Sequence, residues 1–269
     1  MTATTSPTDS GYAPVNGLQL YYESYGEGGT PLILLHGGFG LTSMFGDLGA
    51  RLADQRRVIA VDLQGHGRTA DIDRPLTMSA MADDIAALVG FLGLGRVDVM
   101  GYSVGGGVAL RAAIQHPDLV RKLVLVSTPF RKAGWYPDVG AQMGYVNRKG
   151  FEMMRQTPMF AAYAAVAPNP EAFPDLMDKV GELLGPDYDW TDEVRKLTLP
   201  TLLIFGDADS IAPSHAVEFF RLLGGGLRDG GWDNSGKSTA RLAILPDATH
   251  YDIFVSPLLA PVVMPFLAQ

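Results

Sequence analysis

Short apolar runs recur along the chain, and each ends in or beside a glycine, an aspartate or a serine. The runs are rich in β-branched residues and hold few polar ones. Strands that are buried on both faces of a parallel sheet have this pattern, because neither face meets water. The pattern therefore predicts six such strands, at residues 31–37, 57–63, 97–103, 122–128, 201–207 and 241–247.

Segments with helical periodicity lie between these runs. Residues 44–54, 79–93 and 105–117 repeat apolar side chains at the spacing of one buried helix face. Strands that alternate with helices predict an α/β fold with a mostly parallel, doubly wound sheet. Ahead of this core, residues 12–25 alternate around Asn16-Gly17, so we expect an antiparallel hairpin at the sheet edge.

One stretch interrupts the alternation of strands and helices. Residues 129–195 lack a strong strand pattern and instead predict several short helices. Because a structureless loop of that length is uncommon in a compact domain, we expect a helical cap inserted after the sixth strand, counting the two strands of the leading hairpin. The predicted organisation is a disordered lead at 1–11, an α/β core at 12–128 and 196–269, and the cap at 129–195.

Composition narrows the possible partners. The net charge of the 269-residue chain is −8 and no basic run is present, which argues against nucleic acid. The absence of cysteine excludes disulfides, a thiol nucleophile and cysteine-bound metals. No apolar stretch resembles a secretory signal or a membrane span, so we expect a cytoplasmic protein with no membrane partner. The oligomeric state is left open.

The strongest chemical motif follows the third of the six predicted strands. Gly101-Tyr102-Ser103-Val104-Gly105 is a G-x-S-x-G sequence that passes directly from a strand into a helix. In that context the turn holds the serine in a strained conformation with its hydroxyl exposed, and the two glycines allow close backbone packing. We therefore predict that Ser103 is a nucleophile. A serine hydroxyl is a weak nucleophile, so a base must take its proton.

The chain has five histidines that could supply this base. His36 and His66 follow strands within glycine-rich turns, where we expect them to anchor loops. His116 stands at a helix end, where a charge-stabilising role suffices. His215 begins a helix and is expected on the surface. His250 stands just past the last strand, at the edge where parallel strands deliver their catalytic groups, and is the best candidate.

A histidine base requires an acceptor that fixes its tautomer. Asp207 and Asp209 both end the strand at 201–207, and one of them could instead cap the helix that opens near Pro213. We favour Asp209 as the acid. For the oxyanion that forms during attack, we expect donors from the backbone N–H groups of Gly38 and Val104.

These motifs resemble those of the α/β-hydrolases of the serine esterase type. The resemblance covers residues 13–268 and rests on HGGFG, DLQGHGRT, GYSVGG, GDADSIAP and ATHYD. It implies a Ser103–Asp209–His250 triad, a cap after the sixth strand and no cofactor, as in small esterases, lactonases and perhydrolases. Thr249 stands where many relatives have glycine, and the entry to the last strand, residues 224–240, is longer and richer in glycine than usual.

The composition of the cap indicates the expected substrate class, and the catalytic motifs allow several alternative activities. The cap is rich in methionine and aromatic residues with few basic ones, which favours small to medium apolar esters. We expect Phe39, Tyr102, Met154 and Phe160 to contact substrate, and no motif supports a metal site. A lactonase is the near alternative, followed by a perhydrolase or haloperoxidase and a C–C hydrolase of meta-cleavage products. A non-catalytic ligand-binding homologue is the alternative outside enzymes.

One motif points to a different function. Residues 231–238 match the phosphate-binding P-loop pattern G-x-x-x-x-G-K-S. A P-loop works where a strand enters and a helix follows, because the helix N-terminus then faces the phosphate. Here a predicted helix precedes the match and a strand follows it. We therefore expect a surface connection at the sheet edge opposite the catalytic site.

Overall fold

Eight strands form a single sheet in the computed structural model, which describes residues 6–269. In chain order they are β1 (Asp9–Val15), β2 (Leu18–Tyr25), β3 (Leu32–Leu35), β4 (Val58–Val61), β5 (Val97–Tyr102), β6 (Val120–Val126), β7 (Thr201–Ala208) and β8 (Ala240–Thr249). Their order across the sheet is β1-β2-β4-β3-β5-β6-β7-β8. Only the β1–β2 and β2–β4 pairs are antiparallel among the pairs of this sheet in the described chain. The predicted mostly parallel α/β sheet is confirmed.

Helices flank the sheet and fill the interval between β6 and β7. The α-helices are α1 (Leu48–Leu52), α2 (Met78–Phe91), α3 (Val104–Gln115), α4 (Pro137–Met143), α5 (Phe151–Met154), α6 (Pro158–Ala164), α7 (Phe173–Leu184), α8 (Thr191–Arg195), α9 (Pro213–Leu222) and α10 (Leu259–Ala268). Short 3₁₀ helices occur at Thr42–Phe45, Lys132–Gly134, Arg148–Gly150, Pro170–Ala172 and Ile253–Val255. Within residues 6–269, every helix is too short or too polar to cross a bilayer.

The leading hairpin is confirmed, and it begins earlier than expected. Asn16 and Gly17 take φ angles of 47° and 86°, as a tight two-residue hairpin turn requires. β1 starts at Asp9, and the Thr8 N–H donates to the Ser24 carbonyl at 2.7 Å. The expected disordered lead at 1–11 is therefore wrong for residues 8–11, because pairing with β2 satisfies their backbone. Residues 1–5 of that lead lie outside the described residues.

Burial of both sheet faces follows from the alternation of side chains along each strand. In β3, Ile33 and Leu35 pack into the larger core layer with side chains of α2 and α3. Leu32 and Leu34 point to the opposite layer, which holds side chains of α1 and α10. Because successive side chains point to opposite faces, an uninterrupted apolar strand requires a helical layer on each side.

The segment between β6 and β7 is helical, as its sequence indicates. It contains α4 to α8 and, in the described chain, no strand of the sheet. Phe173, Met177 and Val180 of α7 are buried in the larger core layer. Lys179 of the same helix donates from Nζ to Asp71 Oδ2 at 2.5 Å and so links this segment to a core loop. Its division from the core as a separate cap stays a prediction.

The P-loop-like stretch lies at the sheet edge where β8 begins. α9 precedes the stretch and β8 follows it, so the element order is the reverse of a P-loop. Ala240, the first residue of β8, pairs with Thr201 at the start of β7. The carboxyl ends of β5, β7 and β8, which carry the candidate catalytic residues, meet at the other edge.

Candidate active site

Ser103 occupies a sharp turn between a strand and a helix. β5 ends at Tyr102 and α3 begins at Val104, which leaves Ser103 alone between them with φ 53° and ψ −116°. This left-handed conformation is unfavourable for a residue with a side chain. The surrounding structure has to hold it, and it presents the serine hydroxyl at the sheet edge.

The two glycines of the motif are required by close backbone contacts. A Cβ atom on Gly101 would lie 2.1 Å from the Gly105 carbonyl oxygen. A Cβ atom on Gly105 would lie 2.3 Å from the His36 carbonyl oxygen. No side chain fits at such distances, so the tight turn and the approach of α3 to the loop after β3 both depend on glycine.

The structure brings Ser103, His250 and Asp209 into one hydrogen-bonded chain. His250 Nε2 lies 3.0 Å from Ser103 Oγ, and His250 Nδ1 lies 3.0 Å from Asp209 Oδ1. His250 and Asp209 are both buried, with 7% of each residue exposed. These are the contacts that a nucleophile, its base and the acid that orients the base require.

Asp209 is held by several donors besides His250. Its Oδ2 accepts from the Gly206 N–H at 3.1 Å and, over a short distance, from the Ser127 hydroxyl. Its Oδ1 also accepts from the Ile211 N–H at 3.3 Å. Burial by itself raises the pKa of this carboxyl, but the hydrogen bonds and charge of His250, with the donors Ser127 and Gly206, hold its pKa below the ordinary value.

Asp207, the alternative acid, is turned away from the histidine. It is exposed, and its Oδ1 accepts from the Ala248 N–H at 3.3 Å. Neither aspartate caps α9, whose N-terminus carries no side-chain cap. Of these two aspartates, Asp209 is the one whose carboxylate lies within hydrogen-bond distance of His250, and its role as the acid stays a prediction.

His250 is fixed from its backbone as well as from its ring. The Tyr102 hydroxyl donates to the His250 carbonyl at 2.5 Å, and the two rings lie 5.4 Å apart. Thr249 accepts on Oγ1 from the Tyr251 N–H at 3.2 Å and so supports the turn. The Trp135 ring contacts the imidazole edge-on at a centroid distance of 5.1 Å.

The two predicted oxyanion donors lie side by side near the nucleophile. A Cβ atom on Gly38 would be 3.3 Å from Val104 Cγ2. Val104 is the first residue of α3, where backbone N–H groups have no partner within the helix. Both residues line the same cavity as Ser103. Gly38 and Val104 are therefore neighbours beside Ser103, and the role of their N–H groups as oxyanion donors stays a prediction.

An apolar cavity of about 560 Å³ opens beside the serine. Core residues on its wall include Phe39 and Tyr102, two of the predicted substrate contacts, together with Leu41, Met44, Tyr251 and Phe254. The segment between β6 and β7 adds Trp135, Val139, Met143, Pro158, Met159, Ala162, Val180 and Leu184. In the described chain, no Lys, Arg, Asp or Glu side chain lines it.

Two of the expected substrate contacts lie outside the wall of this cavity in the described chain. Met154 and Phe160 are absent from the cavity wall among the described residues. Phe160 instead packs against Phe151 and Phe173, at centroid distances of 5.4 and 5.1 Å, within an aromatic cluster of the same segment. The neighbouring Met143 and Met159 line the cavity in their place, because short helices turn only one side inward.

The histidines at 36, 66 and 116 have structural contacts. His36 Nε2 accepts from the Leu63 N–H at 3.1 Å, so this ring ties two loops together as predicted. His66 is buried beside it, with a ring separation of 5.1 Å. His116 ends α3 and pairs through Nε2 with Asp83 at 2.8 Å.

His215 is not a surface residue, contrary to expectation. Only 4% of it is exposed, and its ring stacks on Phe130 at a centroid distance of 4.3 Å. Its Nε2 accepts from the Phe130 N–H at 3.3 Å. Burial, with a smaller effect of Arg131, lowers the pKa of His215 to about 4. A neutral ring at this position satisfies a buried backbone donor.

Metal-binding side chains are not gathered at this site. Across residues 6–269, no group of three or more His, Cys, Asp or Glu side chains has the arrangement of a metal centre. The hydrogen-bonded chain of Ser103, His250 and Asp209 beside an apolar cavity is an arrangement that can perform nucleophilic catalysis.

Known proteins share the sequence pattern of this chain. The model of the α/β hydrolase fold family matches residues 30–158. The pimeloyl-[acyl-carrier protein] methyl ester esterase of Neisseria meningitidis serogroup B is 32% identical over 219 residues, covering 72% of this chain and 81% of that protein. The non-heme haloperoxidase of Rhodococcus erythropolis is 30% identical over 229 residues, covering 74% and 81%.

The fold also matches a solved structure over nearly its whole length. A thermophilic esterase from Thermogutta terrifontis superposes with a TM-score of 0.73 at 24% identity, covering 97% of this chain and 98% of that one. Two further curated relatives are matched over less of their own length: the chain spans 36% of one and 56% of the other.

Proposed function

This chain belongs to the α/β-hydrolase fold family, and from that premise we propose that it is a serine hydrolase that cleaves small to medium apolar carboxylic esters. The observation that carries the proposal is the chain of two 3.0 Å contacts from Ser103 through His250 to Asp209. An oriented histidine beside a strained serine converts a weak nucleophile into an effective one. Binding alone would not need that arrangement.

The first half of the reaction forms an acyl-enzyme. Ser103 Oγ attacks the ester carbonyl while His250 Nε2 takes the hydroxyl proton. Asp209 stabilises the resulting imidazolium through its contact with Nδ1. His250 then returns the proton to the departing alcohol, and the acyl group remains on Ser103. General-base catalysis of this kind typically contributes about 10²- to 10⁴-fold in rate.

The second half returns the enzyme to its resting state. Water, deprotonated by His250, attacks the acyl carbonyl, and the carboxylic acid leaves as Ser103 regains its proton. In both halves the carbonyl oxygen becomes negative, and the N–H groups of Gly38 and Val104 would hold it. Loss of one such donor typically costs about 10²- to 10³-fold in turnover.

The cavity wall supports an uncharged substrate. Its volume of about 560 Å³ accommodates a small to medium molecule. Because no Lys, Arg, Asp or Glu side chain lines it in the described chain, an ionic group would lose its water without gaining an oppositely charged partner. Methionines such as Met143 and Met159 provide a flexible wall that tolerates different acyl shapes.

A second activity has support from one relative. Transfer of the acyl group from Ser103 to hydrogen peroxide instead of water would yield a peracid and the free serine. The relative named a non-heme haloperoxidase spans most of this chain. Hydrolysis and perhydrolysis share the acyl-enzyme, so their ratio depends on which acceptor reaches it. Peracid formation from acetate or butyrate esters with added peroxide measures that ratio.

The decisive test compares two serine variants. We expect Ser103→Ala to lose p-nitrophenyl butyrate hydrolysis by several orders of magnitude, and to lose labelling by a fluorophosphonate. The control is Ser238→Ala, at the opposite edge of the sheet, whose hydroxyl donates to the Ala240 carbonyl at 3.2 Å. It should retain wild-type turnover and stoichiometric labelling.

One result would refute the assignment of a serine hydrolase. If purified, folded Ser103→Ala kept wild-type turnover, with contaminating esterase excluded by active-site titration, the triad would not carry the reaction.

A panel of esters and lactones of graded acyl length defines the substrate class. A preference for acyl lactones over open-chain esters would replace the ester assignment with a lactonase.

A further inference from the structure

Ser127 lies at the centre of the catalytic edge without belonging to the triad. It follows β6, which lies between β5, the strand before Ser103, and β7, the strand before Asp209. It is fully buried, and its φ of 49° is left-handed. A serine in this conformation is strained, so its surroundings have to hold it there.

The contacts of Ser127 connect it to the acid. Its hydroxyl donates to Asp209 Oδ2, the oxygen that does not contact the histidine. Its N–H donates to the Ile204 carbonyl of β7 at 2.8 Å, which fixes the backbone from which the hydroxyl reaches out. The next residue, Thr128, donates from Oγ1 to the Ser103 carbonyl at 3.1 Å. The end of β6 therefore contacts both sides of the triad.

We propose that Ser127 is a positioning residue that holds Asp209 in the orientation in which it supports His250, extending the triad to a chain of four side chains. This inference rests on the proposed serine hydrolase function. Ser127 is not placed to touch substrate, and it would act only through the carboxylate.

The physical reason lies in the two oxygens of the carboxylate. A carboxylate with one oxygen bound can still rotate about the bond to its Cβ atom. Ser127 and the Gly206 N–H together hold Oδ2, which leaves Oδ1 directed at His250 Nδ1.

Few titratable groups other than His250 lie near Ser127 and Asp209 in the described chain. Tyr102 approaches Asp209 from β5, and the pKa of the Tyr102 hydroxyl is raised by burial first and then by the charge of Asp209. Tyr251 and Asp252 follow His250 and act on the same tyrosine. Asp207 is two residues from Asp209 and faces the Ala248 N–H.

The test is Ser127→Ala, measured by its pH profile. Without the hydroxyl, only the Gly206 N–H holds Oδ2, so the carboxylate can rotate and Oδ1 is no longer kept on His250 Nδ1. The protonated histidine then loses part of its stabilisation, so we expect the acid limb of kcat/KM to move to lower pH by a few tenths of a pH unit or more. We also expect kcat to fall about tenfold with KM within twofold of wild type, the lower end of what a hydrogen bond to a charged group contributes.

Two further variants separate positioning from simple structural damage. Ser127→Gly also lacks the hydroxyl but relieves the strain of a positive φ, so it folds if Ser127→Ala does not, and the same shift of the profile is expected. Thr201→Val removes a buried hydroxyl at the far end of β7, where Oγ1 donates to the Leu199 carbonyl at 3.1 Å. It should lower the melting temperature without moving the pH profile.

The outcomes are distinct. If Ser127→Ala and Ser127→Gly keep the wild-type kcat and acid limb, the positioning role is wrong. It is also wrong if kcat falls only in proportion to the fraction of enzyme labelled by fluorophosphonate, with the profile unmoved. The serine hydrolase assignment is tested separately. It fails if Ser103→Ala keeps wild-type turnover, whatever the result for the Ser127 variants.

Discussion

Removal of the Tyr102 hydroxyl tests how far the backbone of His250 has to be held for catalysis. In Tyr102→Phe the ring remains against His250 and Phe254, at the centroid distances of 5.4 and 5.0 Å that it has in the wild type. The hydroxyl that donates to the His250 carbonyl at 2.5 Å is lost. The carbonyl then stays buried without this donor.

The size of the effect follows from that lost contact. A buried acceptor left without its partner typically costs about 1–3 kcal/mol, so we expect the free energy of unfolding to fall by about 1–2 kcal/mol. The same contact restrains the histidine whose Nε2 lies 3.0 Å from Ser103 Oγ. If most of that energy orients His250 in the transition state, kcat/KM falls about 5- to 30-fold, since 1.36 kcal/mol corresponds to tenfold.

Denaturant unfolding and p-nitrophenyl butyrate kinetics measure the two effects separately. Tyr163→Phe is the matched control, because Tyr163 is equally buried and its hydroxyl also donates to a carbonyl, that of Asn169, at 3.4 Å. That variant should lose less than about 1 kcal/mol of stability and keep wild-type kcat/KM. The reasoning is refuted if Tyr102→Phe loses stability while its kcat/KM stays within twofold of wild type.

Two further predictions concern stability. Because the pKa of His215 is lowered to about 4, the folded state binds fewer protons than the unfolded state between pH 6.5 and about 4, and stability falls as pH drops through that window. His215→Gln should flatten the dependence of the denaturation midpoint on pH there; an unchanged slope would contradict the burial argument. Gly105→Ala places a Cβ atom 2.3 Å from the His36 carbonyl, and we expect a loss of more than about 3 kcal/mol or no folded protein. Gly90→Ala, in α2 with nothing within 4 Å of the added atom, should instead stabilise by about 0.5–1 kcal/mol, and equal melting temperatures for the two variants would refute this steric reasoning.

Local sequence patterns predicted the layout of the fold correctly. Each of the six apolar runs overlaps a strand of the sheet, and Asn16-Gly17 forms the turn of the leading hairpin. The candidates Ser103, Asp209 and His250 each directly follow a strand, at β5, β7 and β8. These features are visible in the sequence because periodicity and strand-end residues depend on neighbours only a few positions away.

Contacts between distant segments were not predictable in the same way. His215 is polar and opens a helix, yet it is buried by contact with Phe130, 85 residues earlier. Ser127 reaches Asp209 across 82 residues, and no motif marks it. Among the short helices between β6 and β7, Met143 and Met159 line the cavity whereas Met154 and Phe160 do not.

The sequence by itself therefore determined the order of strands and helices and the three side chains delivered to one edge of the sheet. The tertiary structure alone decided which helix faces turn towards the serine, and which buried polar groups hold the acid and the histidine in place. The physical reason is that a strand end points its residue to an edge by local geometry. The inward face of a short helix, by contrast, is selected by packing against segments far away in the chain.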